Sequence, residues 1–154
     1  MKAVESTLPT AVLIGRANVG KSTLFNRLTE TRHAMVSAVL GTTRDRKEDK
    51  VLWRGRQFRL IDTGGLEFED DTGFNREITR QTEIAIEEAD VILFVLDMKE
   101  GLLPQDSKIS AILQNVKQPV FVLGNKAEKA SIRSEAHDPQ WYKTGLELPR
   151  PVSG

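Results

Sequence analysis

The chain has 154 residues, with 22 Lys plus Arg balanced by 22 Asp plus Glu, two His and no Cys. That length suits one ordinary domain with a core of its own, and the zero net charge excludes any global attraction to nucleic acid or acidic membranes, leaving only local contacts. Disulfides and thiolate metal sites are excluded, His33 and His137 are too few for a histidine cage, and "MKAVESTLPT" lacks an export signal's apolar core; with no apolar run near the roughly 20 residues of a membrane helix, a soluble, cytoplasmic protein is expected.

In chain order, the first apolar run of strand length is "AVLIG" (11–15), followed by the helix-like "KSTLFNRLTE". Next comes a long polar stretch, 29–46, and then "EDKVLW" and "QFRLID", which flank "RGR" and predict a hairpin that adds one antiparallel edge strand. A second long polar stretch, 63–74, precedes "NREITRQTEIAIEEA", where Ile78, Thr82, Ala85 and Ala89 share one helical face. "VILFVLD" (91–97), "SKISAILQNV" and "VFVLGN" (120–125) complete the alternation of strand and helix. Continuous apolar strands of this kind are buried on both sides, so the expected fold is α/β: a mostly parallel sheet with one antiparallel edge strand and helices on both faces. Loops as long as the two polar stretches are usually functional or disordered in a compact domain.

Gly15, Gly20, Lys21 and Ser22 satisfy GxxxxGK followed by Ser or Thr, placed between a predicted strand and a predicted helix. The glycines permit close backbone approach, so that the amides of Asn18, Val19, Gly20, Lys21 and Ser22 can point at phosphate oxygens with the helix dipole behind them. Lys21 would reach the β and γ phosphates and Ser22 would bind magnesium through its hydroxyl. A strand-to-helix turn with an incidental lysine is the alternative.

A phosphate loop does not choose the nucleotide. Asp62 in "LIDTGG" ends an apolar run, where strand carboxylates of phosphate-loop enzymes sit beside the metal, while Gly64 and Gly65 let a backbone N–H approach the γ-phosphate. A surface Asp opening a Gly-Gly turn is the bland alternative. In "GTTRD" (41–45) a threonine, Thr43 or Thr42, could complete magnesium coordination while the γ-phosphate is present. "NKAE" (125–128) ends the last apolar run: the Asn125 amide suits N7 and O6 of a purine, the Lys126 stem can lie on the ring, and Glu128 can accept from N1–H and the 2-amino group. Adenine offers neither donor in that arrangement, so the pocket selects guanine.

Together "GRANVGKS", "GTTRD", "DTGG" and "NKAE" resemble the motif set of the translation-factor-related small GTPases. More narrowly, "GKSTLFNRL", "DTGGL", "ADVILFVLD" and "GLLPQD" are similar to the first GTPase domain of the Der (EngA) family of bacterial ribosome-assembly GTPases, over about residues 10–128, with a weaker likeness in "WYKTGLELPRPVS". The resemblance implies a six-stranded G domain spanning 1–154, the first of a longer protein with two GTPase domains. It implies GTP and GDP as ligands, with Arg16 and Thr23 joining the phosphate-loop residues, and GTP hydrolysis with magnesium at a slow intrinsic rate. It also implies a switch role in assembly of the large ribosomal subunit and contact with its RNA. The family's last guanine-binding element is a Ser-Ala pair after the sixth strand; Ser153 takes that place, whereas "SEAH" (134–137) comes too soon after the guanine motif. Glu128 stands where Asp is common, which weakens guanine affinity unless the pocket adjusts, and Ala17 stands where relatives often have proline.

Leu66 occupies the position of the water-orienting glutamine of Ras-like GTPases and cannot take that role. The resemblance implies instead that backbone groups near Thr43 and Gly65 hold the water and that potassium, ligated by Asn18, supplies positive charge; Asn18 as a plain turn residue stays open. Arg16, Arg44 and Arg46 are either alternative charge donors or solvated loop arginines. Trp53 is expected to pack half-buried on the edge strand and Trp141 against the sheet. A nucleotide-gated docking module with negligible hydrolysis and an ATP-dependent enzyme are the competing readings. No heptad or long apolar patch is visible, so a monomer is expected.

Overall fold

The computed structural model describes residues 8–29, 47–63 and 83–153, apart from the side chains of Lys47 and Trp53. Within them, β1 (Thr10–Ile14), α1 (Lys21–Thr29), β2 (Lys47–Trp53), β3 (Arg56–Asp62), a helical stretch at 83–88, β4 (Val91–Asp97), α2 (Pro104–Leu113), β5 (Val120–Asn125), α3 (Ala130–Arg133) and β6 (Arg150–Pro151) follow one another. Two 3₁₀ segments, Ser134–His137 and Pro139–Thr144, lie between α3 and β6.

The six strands form one sheet in the order β2-β3-β1-β4-β5-β6. All neighbours are parallel except β2 and β3, which pair antiparallel from Lys47↔Asp62 to Trp53↔Arg56. The hairpin closes through Arg54 and Gly55, at φ 52° and 79°. Positive φ at both central residues is what a tight hairpin of right-twisted strands requires, and only Gly55 adopts it without a steric penalty. The mostly parallel, six-stranded α/β architecture expected from the sequence is therefore the one observed.

Side-chain alternation along the strands divides the core in two. Leu13, Leu60 and Val95 join Val19, Leu24, Phe25 and Val51 on the α1 side. Val12, Ile14, Ile61, Ile92, Phe94, Leu96 and Val122 face the opposite layer, with Ala85, Ile86, Ala89, Ile109, Leu113 and Trp141. Ala85 and Ala89 thus lie on the buried face expected of their helix, whereas Ile78 and Thr82 lie outside the described residues. Trp141 is buried in this layer and its indole N–H donates to the Glu135 carbonyl at 2.8 Å, satisfying its one polar atom. Trp53 keeps its strand position, but its side chain is outside the described set.

Because β1, β3, β4, β5 and β6 run the same way, Gly15, Asp62, Asp97 and Asn125 all emerge at one edge of the sheet. The chain reaches β3 on one side of β1 and β4 on the other, so the turn leaving β1 opens where the order reverses, the usual ligand crevice of open α/β sheets.

Candidate functional site

The turn after β1 is shaped by its glycines and by Asn18. Asn18 and Gly20 adopt φ 70° and 99°, and a Cβ on Gly15 would meet the Val95 carbonyl of β4 at 2.7 Å. A side chain at Gly15 would therefore push the turn off the sheet, and one at Gly20 would meet Asn125 Nδ2. The helix starts at once, with the Leu24 N–H donating to the Gly20 carbonyl at 3.0 Å.

Lys21, in the first turn of α1, is buried, and its ammonium donates back to the carbonyls of Gly15 (2.7 Å) and Arg16 (2.8 Å). A buried ammonium requires such acceptors, and two carbonyls at the mouth of the turn hold it where phosphate oxygens would compete for it. Beside it, the Ser22 hydroxyl donates to Asp62 Oδ2 at 3.3 Å, joining the phosphate loop to the carboxyl end of β3. Thr63, next in the chain, is fixed by its own hydroxyl and N–H to the Leu13 carbonyl, at 2.9 and 3.4 Å. A hydroxyl and a buried carboxylate facing each other are the hard oxygen donors that suit magnesium. Thr23 is exposed on the first turn of α1, while Val19 is buried in the α1-side core. Thr42, Thr43, Gly64, Gly65, Leu66, Arg44, Arg46 and His33 lie outside the described residues.

The guanine motif is stitched to the same turn. Asn125 Nδ2 donates to the Val19 carbonyl at 2.9 Å, and Lys126 Nζ donates to the Asn18 carbonyl at 2.9 Å. Lys126 sits at φ 66°, a left-handed conformation uncommon for a non-glycine residue, which turns the chain sharply out of β5. Its ammonium also meets Asp97 Oδ2 at 2.9 Å, while Asp97 Oδ1 accepts from the N–H groups of Lys99 (2.8 Å) and Glu100 (2.9 Å). Burial pushes the Asp97 carboxyl up, but the Lys126 hydrogen bond, these two amides and the Lys126 charge outweigh it, so the pKa lies below the ordinary value of 3.8. Glu128 is different: its side chain is 50% exposed and 3.9 Å from Lys99 Nζ, a loose surface pair.

Ser153 follows Val152, whose N–H donates to Gly124 (2.8 Å) and whose carbonyl accepts from Ala127 (3.0 Å). The strand order thus brings Ser153 beside the guanine motif. "SEAH" forms a 3₁₀ turn in which Ala136 is buried and His137 exposed.

One expectation is corrected. Arg16 is not a solvated loop arginine: it is 6% exposed, with Nε on Asp106 Oδ2 at 3.2 Å, one terminal nitrogen on Glu100 Oε1 at 3.1 Å and the other on the Ala17 carbonyl at 3.1 Å. The carboxylates that bury it lie far away in sequence, so its neighbours in the chain gave no sign of them. Asp97 and Asp106 are the residues that sequence reasoning passed over. Each had a signal: the polar residue ending "VILFVLD", and the acidic residue closing "GLLPQD" at the third position of a helix. Asp106 is 0% exposed, and burial raises its pKa, opposed by the Leu103 N–H and by Arg16.

A phosphate loop at the switch point of a parallel sheet, laced to a guanine-type motif two strands away, defines the class of GTP-binding G domains. Residues 10–126 match the family described as 50S ribosome-binding GTPase. GTPase Der of Bacteroides fragilis is 47% identical over 141 residues, covering 92% of this chain and 32% of that protein. GTPase Der of Pelotomaculum thermopropionicum is 43% identical over 145 residues, covering 94% and 32%. Era, solved in complex with MgGDPNP and nucleotides 1506–1542 of 16S ribosomal RNA, is similar with a TM-score of 0.64 at 30% identity, over 95% of this chain and 51% of that one. The chain belongs to the family of 50S ribosome-binding GTPases and carries its GTPase domain. It spans about a third (32%) of the length of the curated relatives it matches. Among the described residues no helix is long and apolar enough to cross a membrane.

Proposed function

We propose that this chain is the first GTPase domain of a longer protein with two such domains, that it binds GTP and hydrolyses it to GDP and phosphate, and that it serves as a nucleotide switch in assembly of the large ribosomal subunit, in contact with its RNA. The observation that carries the nucleotide assignment is the double tie between the guanine motif and the phosphate loop, Asn125 to Val19 and Lys126 to Asn18. It holds the two recognition elements in one crevice. The matched family and the Era complex with ribosomal RNA support the ribosomal role.

In this reading the loop amides from Gly15 to Thr23 receive the phosphates, and Lys21 exchanges its two carbonyl partners for β and γ phosphate oxygens. Ser22, Asp62 and Thr43 would hold magnesium, which would supply positive charge where the leaving group develops its negative charge. Asn125 and Lys126 receive the purine, Glu128 accepts from its N1 side, and Ser153 completes the base pocket. Backbone groups at Thr43 and Gly65 hold the attacking water, the place Leu66 cannot fill. Asn18 carries an exposed side-chain amide with no hydrogen bond to any described residue, so it would be available to ligate potassium, which would supply charge in place of an arginine finger.

Isothermal calorimetry with GDP and ADP in magnesium tests the base assignment: GDP is expected to bind tightly and ADP not measurably, and equal affinities would overturn it. Single-turnover hydrolysis in potassium and in sodium, with and without large ribosomal subunits, tests the rest. Faster cleavage in potassium is expected, whereas no cleavage under any condition would leave a docking module.

A further inference from the structure

The "GLLPQD" stretch has no part in the chemistry described above, yet its last residue is fully buried beside the phosphate loop. Asp106 Oδ2 accepts from the Leu103 N–H at 2.8 Å, closing the first turn of α2, and from Arg16 Nε at 3.2 Å. Arg16 is thereby gripped on every side of its guanidinium: Asp106 on Nε, Glu100 on one terminal nitrogen, and the Ala17 carbonyl on the other. Its backbone carbonyl, in turn, is one of the two groups that hold the Lys21 ammonium. These bonds tie the 16–17 segment of the turn to residues 100–106 after β4.

We propose that Asp106 is a positioning residue for the phosphate end of the site, acting through Arg16 to hold the 15–17 backbone in register with Lys21. The inference rests on the reading that Lys21 grips the β and γ phosphates. When a triphosphate draws the ammonium away, the Gly15 and Arg16 carbonyls lose a donor, and the guanidinium clamp keeps the turn from rearranging. The Arg16 charge is therefore directed at the loop's frame and not at the nucleotide. The same connection, residues 97–106, also carries Asp97, the partner of Lys126, so one segment after β4 braces both ends of the crevice.

A purely structural ion pair would lower the folded fraction and weaken every ligand alike, whereas a positioning role acts only on ligands that reach Lys21. The discriminating quantity is the ratio of GDP to GMP affinity, measured by calorimetry in magnesium. Asp106→Asn is expected to lower that ratio by about tenfold, the effect of one misplaced charge-assisted hydrogen bond. Arg16→Met/Asp106→Leu removes both buried charges, a replacement that usually preserves folding, and is expected to lower the ratio similarly, with a urea midpoint somewhat below the parent chain's because the cap on the Leu103 N–H is lost as well. An unchanged ratio in a folded double variant would overturn the positioning role. Failure of the parent chain to bind GDP would overturn the nucleotide reading itself, and this inference with it.

Discussion

The two ends of the crevice are built in contrasting ways. At the phosphate end the recognition surface is backbone, forced into shape by Gly15 and Gly20 and locked by the buried side chains of Arg16, Lys21 and Asp106. At the base end the surface is side chain, and its outermost member, Glu128, is half exposed and only loosely paired. A buried, over-determined loop fits an anion that is common to every nucleotide state. An open, side-chain-built pocket is where specificity can change without disturbing the fold.

The contrast can be broken most sharply at Lys21. Lys21→Ala removes the ammonium from the phosphate end, and affinity for a non-hydrolysable GTP analogue by calorimetry is expected to fall by about 100-fold or more, since charge-assisted bonds to the β and γ phosphates are lost. Gly20→Ala strikes both ends together, because the new Cβ demands a strained positive φ and meets Asn125. About 1–3 kcal/mol of stability should be lost in urea denaturation, with weaker GDP binding as Asn125 is displaced. Glu128→Asp sharpens the comparison from the other side: stability should change by less than about 1 kcal/mol, while the GTP-over-ATP preference rises a few-fold, within about tenfold, in competition with a fluorescent GDP analogue.

At Asp97 the comparison is read against pH. Its folded pKa lies below 3.8, so its pairing with Lys126 contributes stability that is full above that value and is lost as pH falls through the lowered one. Asp97→Asn should therefore flatten the stability profile below about pH 4, measured as urea midpoints between pH 2.5 and 6. A profile identical to the parent's would remove Asp97 from the bracing of the base end.

Strands β4 and β5 were legible to the residue, because strands buried on both faces write themselves as unbroken apolar runs. β2 and β3 each extend one residue beyond "EDKVLW" and "QFRLID", to Lys47 and Arg56, since an edge hairpin pairs through backbone and tolerates charged residues at its ends. α2 begins at Pro104, ahead of the "SKISAILQNV" periodicity, because Pro is favoured in a first turn and Asp106 caps it from within. In the candidate site, Gly15, Lys21, Ser22, Asp62 and Asn125 were picked out from sequence by a local signature, and the structure brings them to one edge of the sheet. Arg16 and Asp97 were not understood, because their roles come from partners 90 and 29 residues away. Charge pairing across such distances leaves no trace in local spacing.

β6 is only Arg150–Pro151, yet the residue after it binds the backbone of Gly124 and Ala127 on either side of Asn125. The shortest strand is thus a latch on the segment that would read the base. Any displacement of that strand reaches Asn125 and Lys126 first and, through their bonds to the Val19 and Asn18 carbonyls, the turn after β1 next.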